Sequence, residues 1–110
     1  MTFTATAQRN GRTALFTLAG DLDAISAPEF QAEVVAATTG ELDQLVLDMT
    51  ELTYLSSAGL RSLVFCRQKL ADAVRIVVVR PNDSVEQTIR LVGFHRSVVF
   101  SDQIPGDAAS

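Results

Sequence analysis

The chain has no tryptophan, a single tyrosine, one histidine and one cysteine. One cysteine excludes an internal disulfide and fits a reducing compartment. One cysteine and one histidine cannot close a zinc site, and the scattered aspartates lack a calcium-loop spacing. No metal or cofactor is therefore expected. The glycines stand alone, Gly59 and Gly93 included, which leaves no phosphate-cradling glycine-rich loop. Lysine and arginine number 9 against 13 aspartates and glutamates, for a formal net charge of −4. No basic stripe is available to neutralise nucleic-acid phosphates. No apolar run approaches the roughly 18 residues of a membrane span. The start Met1-Thr2-Phe3-Thr4 lacks the basic opening and apolar core of a signal peptide, so the expected address is cytoplasmic.

What is present is enough for one packed domain. The chain has 110 residues and is 47% hydrophobic, long enough to bury about two-thirds of its unfolded surface without a staple. Phe3, Ala5 and Ala7 alternate with polar residues at the period of a half-buried strand. Asn10-Gly11 then signals a hairpin, in the first instance a type I′ turn. A return strand is predicted over 12–19, with Ala14, Phe16 and Leu18 on one face, broken by Gly20-Asp21-Leu22-Asp23. Ser26-Ala27-Pro28-Glu29 has the form of a capping box with proline in the first turn, which predicts a helix over 27–38 with Phe30, Val34 and Ala37 inward. Gly40 is placed to end it.

Leu45-Val46-Leu47 reads as a buried central strand ending at Asp48. A connection over 49–55 follows, pinned to the body by Leu52, Tyr54 and Leu55. A second helix opens on Ser56-Ser57-Ala58-Gly59-Leu60-Arg61 and carries Leu60, Leu63, Val64 and Leu70 inward. A strand over 74–79, a third helix opened by a Ser84/Gln87 capping box and stopped at Gly93, and a last strand over 97–100 complete the pattern. The domain is expected over 1–101, with 102–110 a mobile tail.

The order is β-β-α-β-α-β-α-β, an α/β fold with a small, mainly parallel sheet and one antiparallel strand from the N-terminal hairpin. In such a sheet every strand-to-helix loop emerges at one edge, where ligands and partners usually bind. Those loops are predicted to bring Asp21, Asp23, Glu51 and Asp83 into the neighbourhood of Ser56 and Ser57.

The residue types there argue against catalysis. A serine nucleophile needs a base within reach and an oxyanion site. His95 is the one histidine and reads as a surface or rim residue. Leu55-Ser56-Ser57-Ala58-Gly59 is not a hydrolase elbow. Cys66, inside an apolar helix, reads as a small buried hydrophobe. Two readings of Ser57 remain. It is a helix N-cap worth about 1 kcal/mol, or it is a phosphorylation switch, since a phosphate at a helix N-terminus is tolerated by the free N–H groups and the dipole.

Leu45-Val46-Leu47-Asp48 followed by Leu52-Thr53-Tyr54-Leu55-Ser56-Ser57-Ala58-Gly59-Leu60 resembles the signature of the STAS domain family, specifically the bacterial anti-sigma factor antagonists. Gly20-Asp21-Leu22-Asp23 and Val92-Gly93-Phe94 resemble its other recurrent segments, in the right order and spacing over 3–100. The resemblance implies a non-enzymatic protein that is a monomer when free. Its unphosphorylated form would bind an anti-sigma factor serine/threonine kinase and release a sigma factor. Phosphorylation would end binding, and a PP2C-type phosphatase would reset the cycle. The resemblance places the phosphoacceptor at Ser57, with Ser56 the alternative, and partner contacts at Asp21, Asp23, Ser56, Ser57, Ala58, Gly59 and Arg61. Many members carry aspartate where this chain has Ser56, and serine or threonine where it has Ala58. The same resemblance leaves room for a STAS subunit of a lipid-transport ATPase complex or a non-switching interaction module.

Overall fold

The computed structural model describes residues 2–109. Nine regular elements follow in order. They are β1 (Thr4–Asn10), β2 (Thr13–Leu22), α1 (Ala27–Ala37), β3 (Gln44–Leu55), α2 (Ser57–Lys69), β4 (Arg75–Val79), α3 (Asp83–Leu91), β5 (Val99–Ser101) and a short α4 (Gly106–Ala109). A single 3-10 turn, Phe94–Ser97, precedes β5. The strands form one sheet in the order β1-β2-β3-β4-β5, antiparallel at β1–β2 and parallel elsewhere. This is the mainly parallel α/β fold expected from the element order.

Alternation along the central strands sorts the core onto two faces. Ala14, Leu45 and Ile76 stand side by side across three strands, as do Phe16, Leu47 and Val78. Both rows face the helices, with Phe30 and Val34 of α1, Leu60, Leu63 and Cys66 of α2, and Val85 and Ile89 of α3. The intervening row, Leu15, Val46 and Val77, faces the opposite side with Val79 and is covered by Ile104 and Ala108. Burial on both faces explains why these strands read as unbroken apolar runs. Of the segment for which mobility was expected, residues 106–109 form α4 and Ala108 is buried. Ser110 lies outside the described residues.

The largest departure from the sequence reading is the length of β3. It does not stop at Asp48 but runs twelve residues to Leu55, still paired with β2. Thr17 faces Asp48 and Ala19 faces Glu51, so two residues of β3 oppose one of β2. Gly20 then faces Leu52 and Asp21 faces Tyr54, which leaves Thr53 as a second extra residue. Each bulge adds one residue to the spacing of buried positions. Met49, Leu52 and Leu55, all buried, are therefore three apart rather than two, and the strand period disappears from the sequence. For the same reason β2 continues through Gly20-Asp21 to Leu22 instead of breaking there. Gly20 sits at φ +88°, a left-handed conformation that glycine adopts without strain.

Three turn assignments also change. The hairpin closes at Asn10–Thr13, so Gly11 and Arg12 are its central residues. Gly11 has φ +61°, while Arg80 is the one non-glycine residue at positive φ among those described, which makes the turn type II′ rather than I′. Ser26 forms no capping box: its backbone is helical and its hydroxyl donates to the Asp21 carbonyl at 2.9 Å. Ser84 does not cap α3 either. That role falls to Asn82, whose side-chain oxygen accepts from the Val85 N–H at 2.8 Å.

Candidate functional site

The C-terminal ends of β2, β3 and β4 feed α1, α2 and α3 at one edge of the sheet, and the two serines sit at its centre. The Ser56 N–H donates to the Leu22 carbonyl at 3.0 Å, which ties the start of α2 to the end of β2. The structure moves the helix cap by one residue. Ser56, in extended conformation, accepts the Gly59 N–H on its side-chain oxygen at 3.0 Å. Ser57 is the first helical residue and is exposed. Among the described residues its hydroxyl has no hydrogen-bond partner. Ser56→Ala is therefore expected to cost about 1 kcal/mol, whereas Ser57→Ala should change stability by less than about 0.5 kcal/mol. Thermal unfolding of the two variants checks the assignment.

Gly59 is buried against β2, and a Cβ there would meet the Leu22 carbonyl. It shapes the turn through its backbone rather than offering surface. Arg61 lies four residues after Ser57 and is exposed, so the two share one face of the helix. Further along, Lys69 Nζ stands 5.2 Å above the ring of the half-buried Phe65.

Asp21 and Asp23 bracket Leu22, and both carboxylates are engaged. Asp21 accepts from Thr53 Oγ1 at 2.7 Å across the β2–β3 ladder. Asp23 Oδ1 accepts from the N–H groups of Ser26, at 3.1 Å, and Ile25, at 3.0 Å. Those bonds, that from the Ser26 backbone foremost, hold the Asp23 carboxyl below its ordinary range. Glu51 is not part of this cluster. It lies within β3 opposite Ala19, roughly 20 Å of extended chain before Ser57. Asp83 is the first residue of α3, at the same sheet edge.

The sequence profile of the STAS domain matches residues 4–105. The chain belongs to the STAS domain family. It is 25% identical over 91 residues to the anti-sigma-F factor antagonist RsfB of Mycobacterium tuberculosis, a match covering 83% of this chain and 74% of that one. Its fold superimposes on an anti-sigma factor antagonist from Mycobacterium paratuberculosis with a TM-score of 0.83, at 20% identity and over 94% and 88% of the two chains. It also superimposes on the phosphorylated form of the Bacillus cell fate determinant SpoIIAA, with a TM-score of 0.69 at 17% identity over 93% of each chain.

The remaining reactive residues of this STAS domain lie away from the serine edge. His95 belongs to the 3-10 turn after α3. Because α3 starts at the serine edge and runs back along the sheet, its far end leaves His95 at the opposite edge, out of reach as a base for Ser57. Cys66 is buried, and burial pushes its thiol up to about 12, so it stays protonated. Among the described residues no helix is long and apolar enough to cross a membrane. Sequence reasoning missed Asn82 and the bridging role of Thr53. It also missed Ile25, which is 90% exposed in the loop beside Asp23. An isoleucine between Ala24 and Ser26 was a readable signal, since no core pattern claims it.

Proposed function

We propose that this chain is a cytoplasmic anti-sigma factor antagonist whose unmodified form binds an anti-sigma factor with serine kinase activity and so frees a sigma factor. Phosphorylation of Ser57 by that kinase switches binding off, and a PP2C-type phosphatase restores it. One observation carries the reading: the two adjacent serines have divided roles. Ser56 is committed to the cap, while Ser57 presents an unengaged hydroxyl at the first position of α2.

The physics of that position supports a switch that leaves the fold intact. The N–H groups of Ser57 and Ala58 have no intrahelical acceptor, as at any helix start. A phosphate adds about −1.5 to −2 charge and three acceptor oxygens beside them, where the helix dipole favours negative charge. The same charge, close to Asp21 and Asp23, makes the outer surface strongly anionic. An interface fitted to the neutral serine would have to desolvate that charge. Ser56, by contrast, already holds the Gly59 N–H on the oxygen that a kinase would have to use.

The proposed docking surface is Ser57, Ala58 and Arg61, with Asp21 and Asp23 alongside and with Ser56 and Gly59 holding its shape. Arg61 makes no hydrogen bond or ion pair among the described residues, so reversing its charge leaves the fold alone. Arg61→Glu is expected to weaken binding to the anti-sigma factor at least tenfold by calorimetric titration, with the melting temperature within about 2 °C of wild type. Unchanged affinity would place the interface elsewhere.

A further inference from the structure

β3 runs well past its neighbour on one side. β4 pairs with it only as far as Asp48 opposite Val79, so residues 49–55 have no β4 partner, although β2 continues beside them to Leu55. The overhang leads directly into Ser56 and Ser57. Thr53 is the bulged residue nearer the serines, and a bulge turns backbone groups out of the regular ladder. On the β2 side the Thr53 hydroxyl lies 3.0 Å from the Gly20 carbonyl and 2.7 Å from Asp21 Oδ1. On the open side the Asn82 Nδ2 amide is shared between the carbonyls of Leu52, at 3.2 Å, and Thr53, at 3.4 Å.

Asn82 therefore uses the two ends of one carboxamide for different tasks. Its oxygen caps α3 through the Val85 N–H, and its nitrogen supplies donors where β4 would have supplied backbone N–H groups. The chain reaches this position through Arg80, at φ +48°. That left-handed conformation strains a residue with a Cβ, and here it turns the chain out of β4 two residues before Asn82. Strain held next to a strand end that β4 leaves open marks a placement the fold maintains.

We propose that Asn82 is a positioning residue for the Ser57 turn. Its amide donor, separable from its capping oxygen, stands in for the missing strand and fixes the end of β3 from which Ser57 is presented. The functional half of this proposal rests on reading Ser57 as the phosphoacceptor.

Asn82→Asp separates the two ends. Aspartate caps a helix about as well as asparagine but turns the donor into an acceptor facing two carbonyls. Asn82→Ser is the uncharged companion, with a capping oxygen and too short a side chain to bridge to β3. Tyr54, the chain's one tyrosine in the absence of tryptophan, lies in the overhang and is 51% exposed, so its fluorescence reports on this segment. In both variants the acrylamide quenching of Tyr54 is expected to rise about twofold. Amide exchange over 53–58 should accelerate at least tenfold, while exchange within α3 stays at the wild-type rate. With an anti-sigma factor kinase that phosphorylates the wild-type chain, kcat for Ser57 should fall about tenfold with KM within twofold. A loss of the cap alone would instead speed exchange in α3 and leave kcat unchanged. Unaltered Tyr54 quenching and exchange over 53–58 would overturn the brace, whatever Ser57 does. A loosened overhang with unchanged kcat would overturn the positioning role. A loosened overhang in a chain whose Ser57 is never phosphorylated would uphold the brace and sink the phosphoacceptor reading.

Discussion

Gly59→Ala is expected to destabilise the domain by about 2 kcal/mol, although helix propensity alone would make it stabilising by about 1 kcal/mol. The two effects have opposite signs, and the packing decides between them. A methyl group at position 59 would be driven into the Leu22 carbonyl, with Leu22 Cγ at 3.0 Å on the same side. The obstacle is backbone, so no rotamer change relieves it. The carbonyl cannot retreat cheaply either, since it accepts the Ser56 N–H that ties α2 to β2. The helix start has to lift, and that bond and the Ser56 cap are strained together. A fall in melting temperature of roughly 8–15 °C is the expected readout for a domain of this size. A temperature equal to or above wild type would mean that the α2 start is loosely seated, and the tight placement of Ser57 would go with it.

Ser57→Asp is expected to bind the anti-sigma factor at least tenfold more weakly than wild type, about 1.4 kcal/mol, while Ser57→Ala binds within about twofold. Aspartate at the first turn of α2 is favoured by the dipole by roughly 0.3–1 kcal/mol, so its fold should hold at wild-type stability. The charge acts on the partner instead. It adds to an edge that already carries Asp21 and Asp23 and must lose water on docking. Alanine removes a hydroxyl that makes no hydrogen bond among the described residues, so neither stability nor affinity has much to lose. If Ser57 served only as helix surface, the two variants would bind alike. Isothermal titration beside thermal unfolding, on both variants, separates the cases.

The fold was legible because the element order is written in unambiguous places. Leu45-Val46-Leu47 and Ile76 to Val79 are continuous apolar runs, and between them lies a helical pattern too long for a hairpin. Asn10-Gly11 marked the hairpin even though the turn type differs. What the sequence concealed shares one cause. Two bulges shift the buried positions of β3 to Met49, Leu52 and Leu55, a spacing that no strand template contains, so a twelve-residue strand reads as a short strand and a loop. Glu51 was misplaced by the same misreading, because a loop would have carried it to the serine edge and a strand does not. The caps failed for a different reason. Ser26, Ser57 and Ser84 each stand near a helix start with suitable neighbours, and one residue of displacement or a competing acceptor decides the outcome. Ser26 turns to the Asp21 carbonyl and Asp23, Asn82 reaches the Val85 N–H before Ser84 can act, and Ser56 takes the role assigned to Ser57. Such contests are settled by tertiary position, which local propensity does not carry.

Whether Ser57 is the one switched residue is decided by mapping the phosphate and measuring binding on the same sample. The chain is incubated with the anti-sigma factor kinase and ATP, its phosphate is located by peptide fragmentation, and the modified protein is titrated against the same partner. A single phosphate on Ser57 and at least a tenfold loss of affinity are expected, with the melting temperature retained. A phosphate on Ser56, or a Ser57-phosphorylated chain that binds as tightly as the unmodified one, would contradict a switch at Ser57.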